Sequence, residues 1–156
     1  MDRAAKVERK TKETDILVEL QLDGGEIVLD TGIGFFDHML HAFAFYGGLG
    51  LTVQAKGDLQ GDGHHTVEDV GIVLGEALRG AFGEKTGIRR FASAYVPMDE
   101  ALLFAALDVS GRPYLVFDAP MPQERCGEYD TCLTVEFMRA FAMHAALTLH
   151  MKAFYG

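Results

Sequence analysis

The sequence is poor in three things, and each shortage removes a class of function. It has two cysteines, Cys126 and Cys132, in 156 residues. They form neither a Cys-x-x-Cys metal pair nor the framework of a small disulfide domain, so both are expected as reduced thiols in a cytoplasmic protein. Positive charge is scarce, with 14 Lys and Arg against 23 Asp and Glu and a formal net charge of −9. That balance argues against nucleic acid and anionic membrane as partners, because both need a broad basic face. It leaves room for a small anionic substrate, which two arginines can hold. No apolar run approaches the roughly 18 residues of a membrane helix, and the opening MDRAAKVERKTKETD is too charged for a signal peptide. The glycines at Gly24-Gly25 and at Gly61 and Gly63 match no phosphate-binding loop and read as turns.

What is present is a 49% hydrophobic chain, enough for one domain or two fused halves. In TDILVELQLDGGEIVLD, Ile16, Val18, Leu20 and Leu22 alternate with polar residues up to Asp23-Gly24-Gly25, and Ile27 to Leu29 follow. That pattern predicts a β-hairpin. FFDHMLHAFAFY takes helical spacing and stops at Gly47-Gly48. Leu51, Val53 and Ala55 alternate as a third strand. Val67, Val70, Leu74, Ala77, Leu78 and Ala81 then make one helical stripe, starting at Thr66. The pattern begins again in the second half. DEALLFAALDVSGRPYLVFD follows the first hairpin at an offset of 87, and EFMRAFAMHAALTLHMKAF follows HMLHAFAFYGGLGLTVQAK at an offset of 98. A polar insertion, PMPQERCGEYD, lies between them. The expected organisation is two α/β halves, residues 1–95 and 96–156.

The segment GDGHHTVEDVG concentrates the chemistry. Thr66 and Asp69 have the spacing of a capping box, which would start the helix at Thr66 and leave His64 and His65 just outside it. Neighbours on an extended segment point opposite ways, so the two imidazoles would serve two ions or two sites. Imidazole with the Glu68 carboxylate, and no thiolate, suits manganese, iron, zinc or nickel, with manganese favoured as carboxylate enters the shell. His38 and His41 lie one turn apart on the first helix, and spacing alone makes them half-buried amphipathic residues. The repeat alters the case for His38, because its second-half match is Glu136, also able to bind a metal. Arg89, Arg90 and Arg112 have a plain surface reading beside the alternative of a phosphate clamp.

TGIGFFDHMLHAFAFYGG, GDGHHTVEDVGIVLGEAL, KTGIRRFASAYVPMDEAL, DVSGRPYL and ALTLHMKAFYG together resemble the imidazoleglycerol-phosphate dehydratases of histidine biosynthesis, from about Arg9 to the last residue. The resemblance implies an α+β fold of two fused halves, each a sheet covered by helices, of the ribosomal protein S5 domain 2-like type. It implies a hydro-lyase that converts D-erythro-imidazole glycerol phosphate to imidazole acetol phosphate and water. It implies trimers assembled into a 24-subunit shell, with two Mn²⁺ ions in each site between subunits. Carried over by position, the metal ligands are His38, His64, His65, Glu68 and Glu136, and this metal-bearing surface also meets the substrate. Glu13 contacts the substrate, Arg90 and Arg112 bind its phosphate, Asp99 is a supporting acid, and Glu68 is the candidate base. Two positions depart from the family, Gln60 for an upstream histidine and Ala42 for a glutamine found in some members. The family's second His-His-x-x-Glu motif would fall about residue 162 by the repeat. The expectation is therefore a C-terminally shortened chain with half its ligands, or a metal-binding and assembly form without turnover.

Overall fold

Alternating burial builds the first half. The structure, a computed structural model, describes residues 2–156. Strand β1 (Ala4–Lys10) pairs with β2 (Thr14–Gln21), and β4 (Gly50–Gly57) pairs with the other edge of β2, both antiparallel. Ile16, Val18, Leu20, Leu51, Val53 and Ala55 share the inner face of this sheet and are buried. β3 (Ile27–Asp30) lies parallel to β4 on its far side, giving the order β1-β2-β4-β3.

The hairpin expected over residues 14–30 therefore does not form: β2 and β3 are separated by β4. The apolar face of β2 is better covered by β4, whose inward residues are more deeply buried than those of β3. A parallel β3–β4 pair then needs a crossover, and helix α1 (Gly34–Gly47) supplies it. Gly24 and Gly25 do mark a turn, with φ of 99° and 153°. It carries the chain past β4, so close that a Cβ on Gly50 would stand 2.8 Å from the Gly25 Cα. α1 ends as expected, with Gly48 left-handed at φ 66° and its N–H donating to the Ala44 and Phe45 carbonyls. β1 carries no strong apolar signal, because Lys6, Glu8 and Lys10 face outward and only Ala5, Val7 and Arg9 face in, as an edge strand allows.

The second half repeats the frame. β5 (Phe91–Met98), β6 (Ala101–Asp108), β7 (Tyr114–Asp118) and β10 (Thr148–Tyr155) form a sheet in the order β5-β6-β10-β7, again with one parallel pair. β5, β6 and β7 start 87 residues after β1, β2 and β3, and β10 starts 98 after β4. The register repeats as well, with Val18 opposite Val53 and Ala105 opposite Met151. The insertion forms a two-residue ladder, β8 (Arg125–Cys126) with β9 (Tyr129–Asp130), before helix α3 (Leu133–Ala145). Both cysteines are free. β5 spans the position 95/96 at which the halves were divided from sequence, and it belongs to the second sheet.

The remaining helix, α2 (His64–Phe82), is the centre of the molecule. Its buried stripe, Val67, Val70, Val73, Leu74 and Ala77, packs on β1 and β2, and its other side packs on α3. Gly71 and Gly75 permit that second contact. A Cβ on Gly71 would stand 2.9 Å from the Phe137 carbonyl oxygen, and one on Gly75 2.7 Å from that of Phe141. The inner side of the second sheet borders an apolar cavity of about 510 Å³, lined by Phe36, Leu40, Met98, Leu103, Tyr129 and Phe137 among others. No helix among the described residues is long and apolar enough to cross a membrane.

Candidate metal and phosphate sites

Helix α2 begins two residues earlier than the capping-box reading places it. His64 and His65 are its first residues, after Gly63, and no side chain caps it in the expected way. Thr66 is fully buried with its hydroxyl unpartnered, and Asp69 turns elsewhere. Thr14 Oγ1 donates to Asp69 Oδ2 at 2.6 Å, and Arg9 Nε lies 3.9 Å from Asp69 Oδ1. A charge-assisted bond to a neighbouring strand has outcompeted the local cap. Asp62 takes over part of the capping, accepting the His64 N–H at 3.0 Å. The Asp-Gly dipeptide before the apolar stripe was the available signal for it.

The helical start rearranges the imidazoles. Consecutive helical side chains diverge by about 100° rather than 180°. The His64 and His65 rings stand 5.9 Å apart between centroids at 78°. His64 and Glu68 fall on the same helix face, with Nε2 and Oε2 3.0 Å apart. Both side chains are about 40% exposed, so they are accessible to an ion or a substrate.

A metal with bonds of about 2.1 Å spaces adjacent octahedral ligands about 3.0 Å apart. The His64–Glu68 separation fits that spacing, and the imidazole–carboxylate set fits a divalent ion of the manganese type. His65 diverges from the pair. His38 is exposed on α1, and Glu136, in the first turn of α3, is engaged by Arg139 at 3.1 Å. Among the described residues no three His, Cys, Asp or Glu side chains converge on one ion. One chain thus brings His64 to Glu68 but does not bring His38 or Glu136 to them.

Glu13 sits in a tight turn built by Thr11, whose Oγ1 accepts the N–H groups of Glu13 and Thr14 at 3.1 and 3.0 Å. The next residue, Thr14, carries the bond to Asp69. That link ties the Glu13 turn to the second turn of α2, and sequence spacing gives no sign of it because Thr14 and Asp69 are 55 residues apart.

The arginines lie at one end of the second sheet. Arg90 Nε and Nη2 donate to the two Asp108 oxygens at 2.7 and 3.2 Å, and the guanidinium lies 4.8 Å from the Phe91 ring centroid. The Arg90 bonds hold the Asp108 carboxyl below its usual range, with smaller help from the charges of Arg112 and Lys85. Arg112 sits in the Ser110-Gly111-Arg112 turn, where Ser110 Oγ accepts its N–H at 3.0 Å and Thr148 Oγ1 donates to its carbonyl at 3.1 Å. Asp99 is left-handed, φ 49°, in the β5–β6 turn. It lies one strand length from Arg90, roughly 30 Å, and does not join that cluster within the chain.

A duplicated α+β frame that carries imidazole and carboxylate donors at one helix start and arginines at one sheet end has the parts of an acid–base enzyme for a small anionic substrate. The relatives make the class specific. The family model for imidazoleglycerol-phosphate dehydratase matches residues 31–156. The imidazoleglycerol-phosphate dehydratase of Acetivibrio thermocellus is 59% identical over all of this chain and 80% of its own length, and that of Symbiobacterium thermophilum is 57% identical over 99% of this chain and 75% of its own. Among solved structures, the Staphylococcus aureus dehydratase superposes with a TM-score of 0.87 at 37% identity, covering 98% of this chain and 85% of that one. The Pyrococcus furiosus dehydratase, solved in complex with (S)-C348, gives 0.78 at 38% identity over 96% and 80%. The chain belongs to the imidazoleglycerol-phosphate dehydratase family, the hydro-lyases of that step in histidine biosynthesis.

Proposed function

We propose that the chain dehydrates D-erythro-imidazole glycerol phosphate to imidazole acetol phosphate in a Mn²⁺-dependent reaction, in the cytoplasm, as a homo-oligomer without nucleic-acid or membrane partners. The observation that carries the reading is the His64–Glu68 pair, 3.0 Å apart at an exposed helix start. His64, Glu68 and the diverging His65 would hold metal, with His38 and Glu136 supplied from neighbouring copies. A bound ion supplies electron withdrawal from the substrate's imidazole ring and a positive site for the departing oxygen.

The reaction breaks a C–O bond at the carbon next to the ring and a C–H bond at the following carbon, and the enol so formed becomes the ketone. Glu68 is the base for that proton, placed by its helix and held beside His64. Glu13 meets the substrate from the turn that Thr14 and Asp69 tie to the same helix. Arg90 and Arg112 hold the phosphate far from the reacting carbons, so that binding energy orients the carbons for transfer. Asp99, one strand length away, would serve as a supporting acid in a site completed by another copy. Support for an oligomer comes from the outer face of the second sheet. There Tyr95 lies 4.7 Å from Phe104 and 6.1 Å from Phe154 between centroids, with Tyr95 64% and Phe154 47% exposed. A contiguous exposed aromatic patch of that kind marks a surface that meets another protein.

The test is Glu68→Gln, assayed for turnover and for Mn²⁺ content. Turnover should fall at least about 100-fold, with one metal equivalent weakened. Turnover at the parent rate removes Glu68 from the mechanism. A parent protein that binds Mn²⁺ and assembles without turning over would instead favour the metal-binding and assembly form.

A further inference from the structure

The repeat supplies an internal control for the phosphate end. An arginine stands immediately before the first strand of each sheet, Arg3 before β1 and Arg90 before β5, and the two are equivalent in the repeat. Their frames coincide: Leu22 N–H donates to the Arg3 carbonyl and Val109 N–H to the Arg90 carbonyl, both at 2.9 Å. Their surroundings do not. Arg3 pairs with Asp23, Nε to Oδ2 at 3.2 Å, in a shallow pocket that also holds Asp2. Arg90 pairs with Asp108, and two more cations gather there. Arg112 is fixed through its backbone by Ser110 and Thr148. Lys85 reaches over from the loop after α2, and its Nζ lies only 3.2 Å from where a Cβ on Gly111 would stand.

The loop that delivers Lys85 is itself specialised. Lys85 is a non-glycine residue at φ 62°, pinned by its N–H to the Phe82 carbonyl at 2.9 Å. A long side chain adopts that conformation at a cost, and such strain persists where the surroundings impose it. The side chain is half-buried, yet among the described residues neither Lys85 nor Arg112 forms an ion pair. Three cations therefore surround one carboxylate and leave two positive charges uncompensated, the complement of a phosphate monoester dianion.

We propose that Lys85 is a third phosphate-binding cation, completing with Arg90 and Arg112 a site organised around Asp108. This rests on the reading that the two arginines hold the substrate phosphate. The experiment compares Lys85→Asn, which tolerates the left-handed backbone, with Lys85→Arg, Arg112→Ala and, as the first-half control, Arg3→Ala. The readouts are KM, kcat and competition by inorganic phosphate. Lys85→Asn should raise KM and weaken phosphate competition about tenfold with little change in kcat. Lys85→Arg should recover most of that loss, and Arg3→Ala should change neither. If Arg112→Ala weakens phosphate competition and Lys85→Asn leaves it at the parent value, the third-cation assignment falls and the arginine clamp stands. If Arg112→Ala also leaves it unchanged, the clamp itself is wrong and Lys85 loses its role with it.

Discussion

The two halves share strand order, register and connections, and differ in almost everything the strands carry. The inner face of the first sheet is closed by α2, and Ile16 is 1% exposed. Its counterpart in the second sheet, Leu103, is 39% exposed and borders the apolar cavity. The outer faces contrast in the opposite sense. The first carries Lys6 paired with Glu19 and Lys10 with Asp15 at 3.3 and 3.7 Å, and is an ordinary solvated surface. In the second, Tyr95 stands where the first has Glu8, and Phe154 where it has Lys56. The backbone frame thus follows from the apolar alternation that both copies keep. Function follows from what each copy put on the remaining faces and ends. The polar groups are divided likewise, with imidazole and carboxylate side chains at the start of α2 and arginines at the end of the second sheet.

The contrast can be broken most sharply in the cores. Ile16→Ala should cost about 2–5 kcal/mol because it opens a cavity in a closed layer, whereas Leu103→Ala should cost less than about 1 kcal/mol. Urea unfolding of the two variants decides it, and equal losses would mean that the second sheet is as well covered as the first. A smaller effect is expected where the helices end. Gly48 and Ala146 are equivalent left-handed caps, φ 66° and 56°, but only one is glycine. Gly48→Ala should destabilise by about 1 kcal/mol and Ala146→Gly should stabilise by about 0.5 kcal/mol. Thermal midpoints moving in the same direction would contradict the equivalence.

The smallest effect concerns the paired carboxylates. Asp23 and Asp108 are both held below their usual range, chiefly by the bonds from Arg3 and Arg90. A carboxyl whose folded pKa is lowered stabilises the fold above its unfolded pKa, and that help disappears as pH falls through the folded value. Asp108→Asn should therefore lower the unfolding midpoint slightly near pH 7. The difference from the parent should shrink as the pH drops below about 4. A difference that grew in acid would reverse the assignment.

Much of this was legible in the sequence, and the failures share a cause. The stripe of α2, the stop at Gly47-Gly48 and the repeat itself are local or periodic signals, and the structure contains all three. The hairpin over residues 14–30 failed because partner choice is not local: β4, brought back by α1, buries more of the β2 face than β3 would. β1 was hidden by the charges an edge strand tolerates. The helix start was misplaced because Asp69 found Thr14, 55 residues away, rather than its own helix. Asp108 and Lys85 carry no local sequence signal for the same reason, since what sets them apart is the arginines they meet in the fold. His64 and Glu68 were readable as a pair because four helical residues bring them together. His38 and Glu136 were raised by their equivalence in the repeat and assigned as ligands by resemblance, and the single chain leaves them apart from the His64–Glu68 pair.

The glycines of α2 have one more consequence. At Gly71 and Gly75 the two central helices touch backbone to backbone, and they come from different copies of the repeat. Neither copy can then loosen alone: a side chain at the seam would pry both apart, and a shift of α3 must drag along the helix that carries His64 and Glu68. The duplicated ancestor's two modules have been soldered into one mechanical body at the spot where the fewest atoms stand between them.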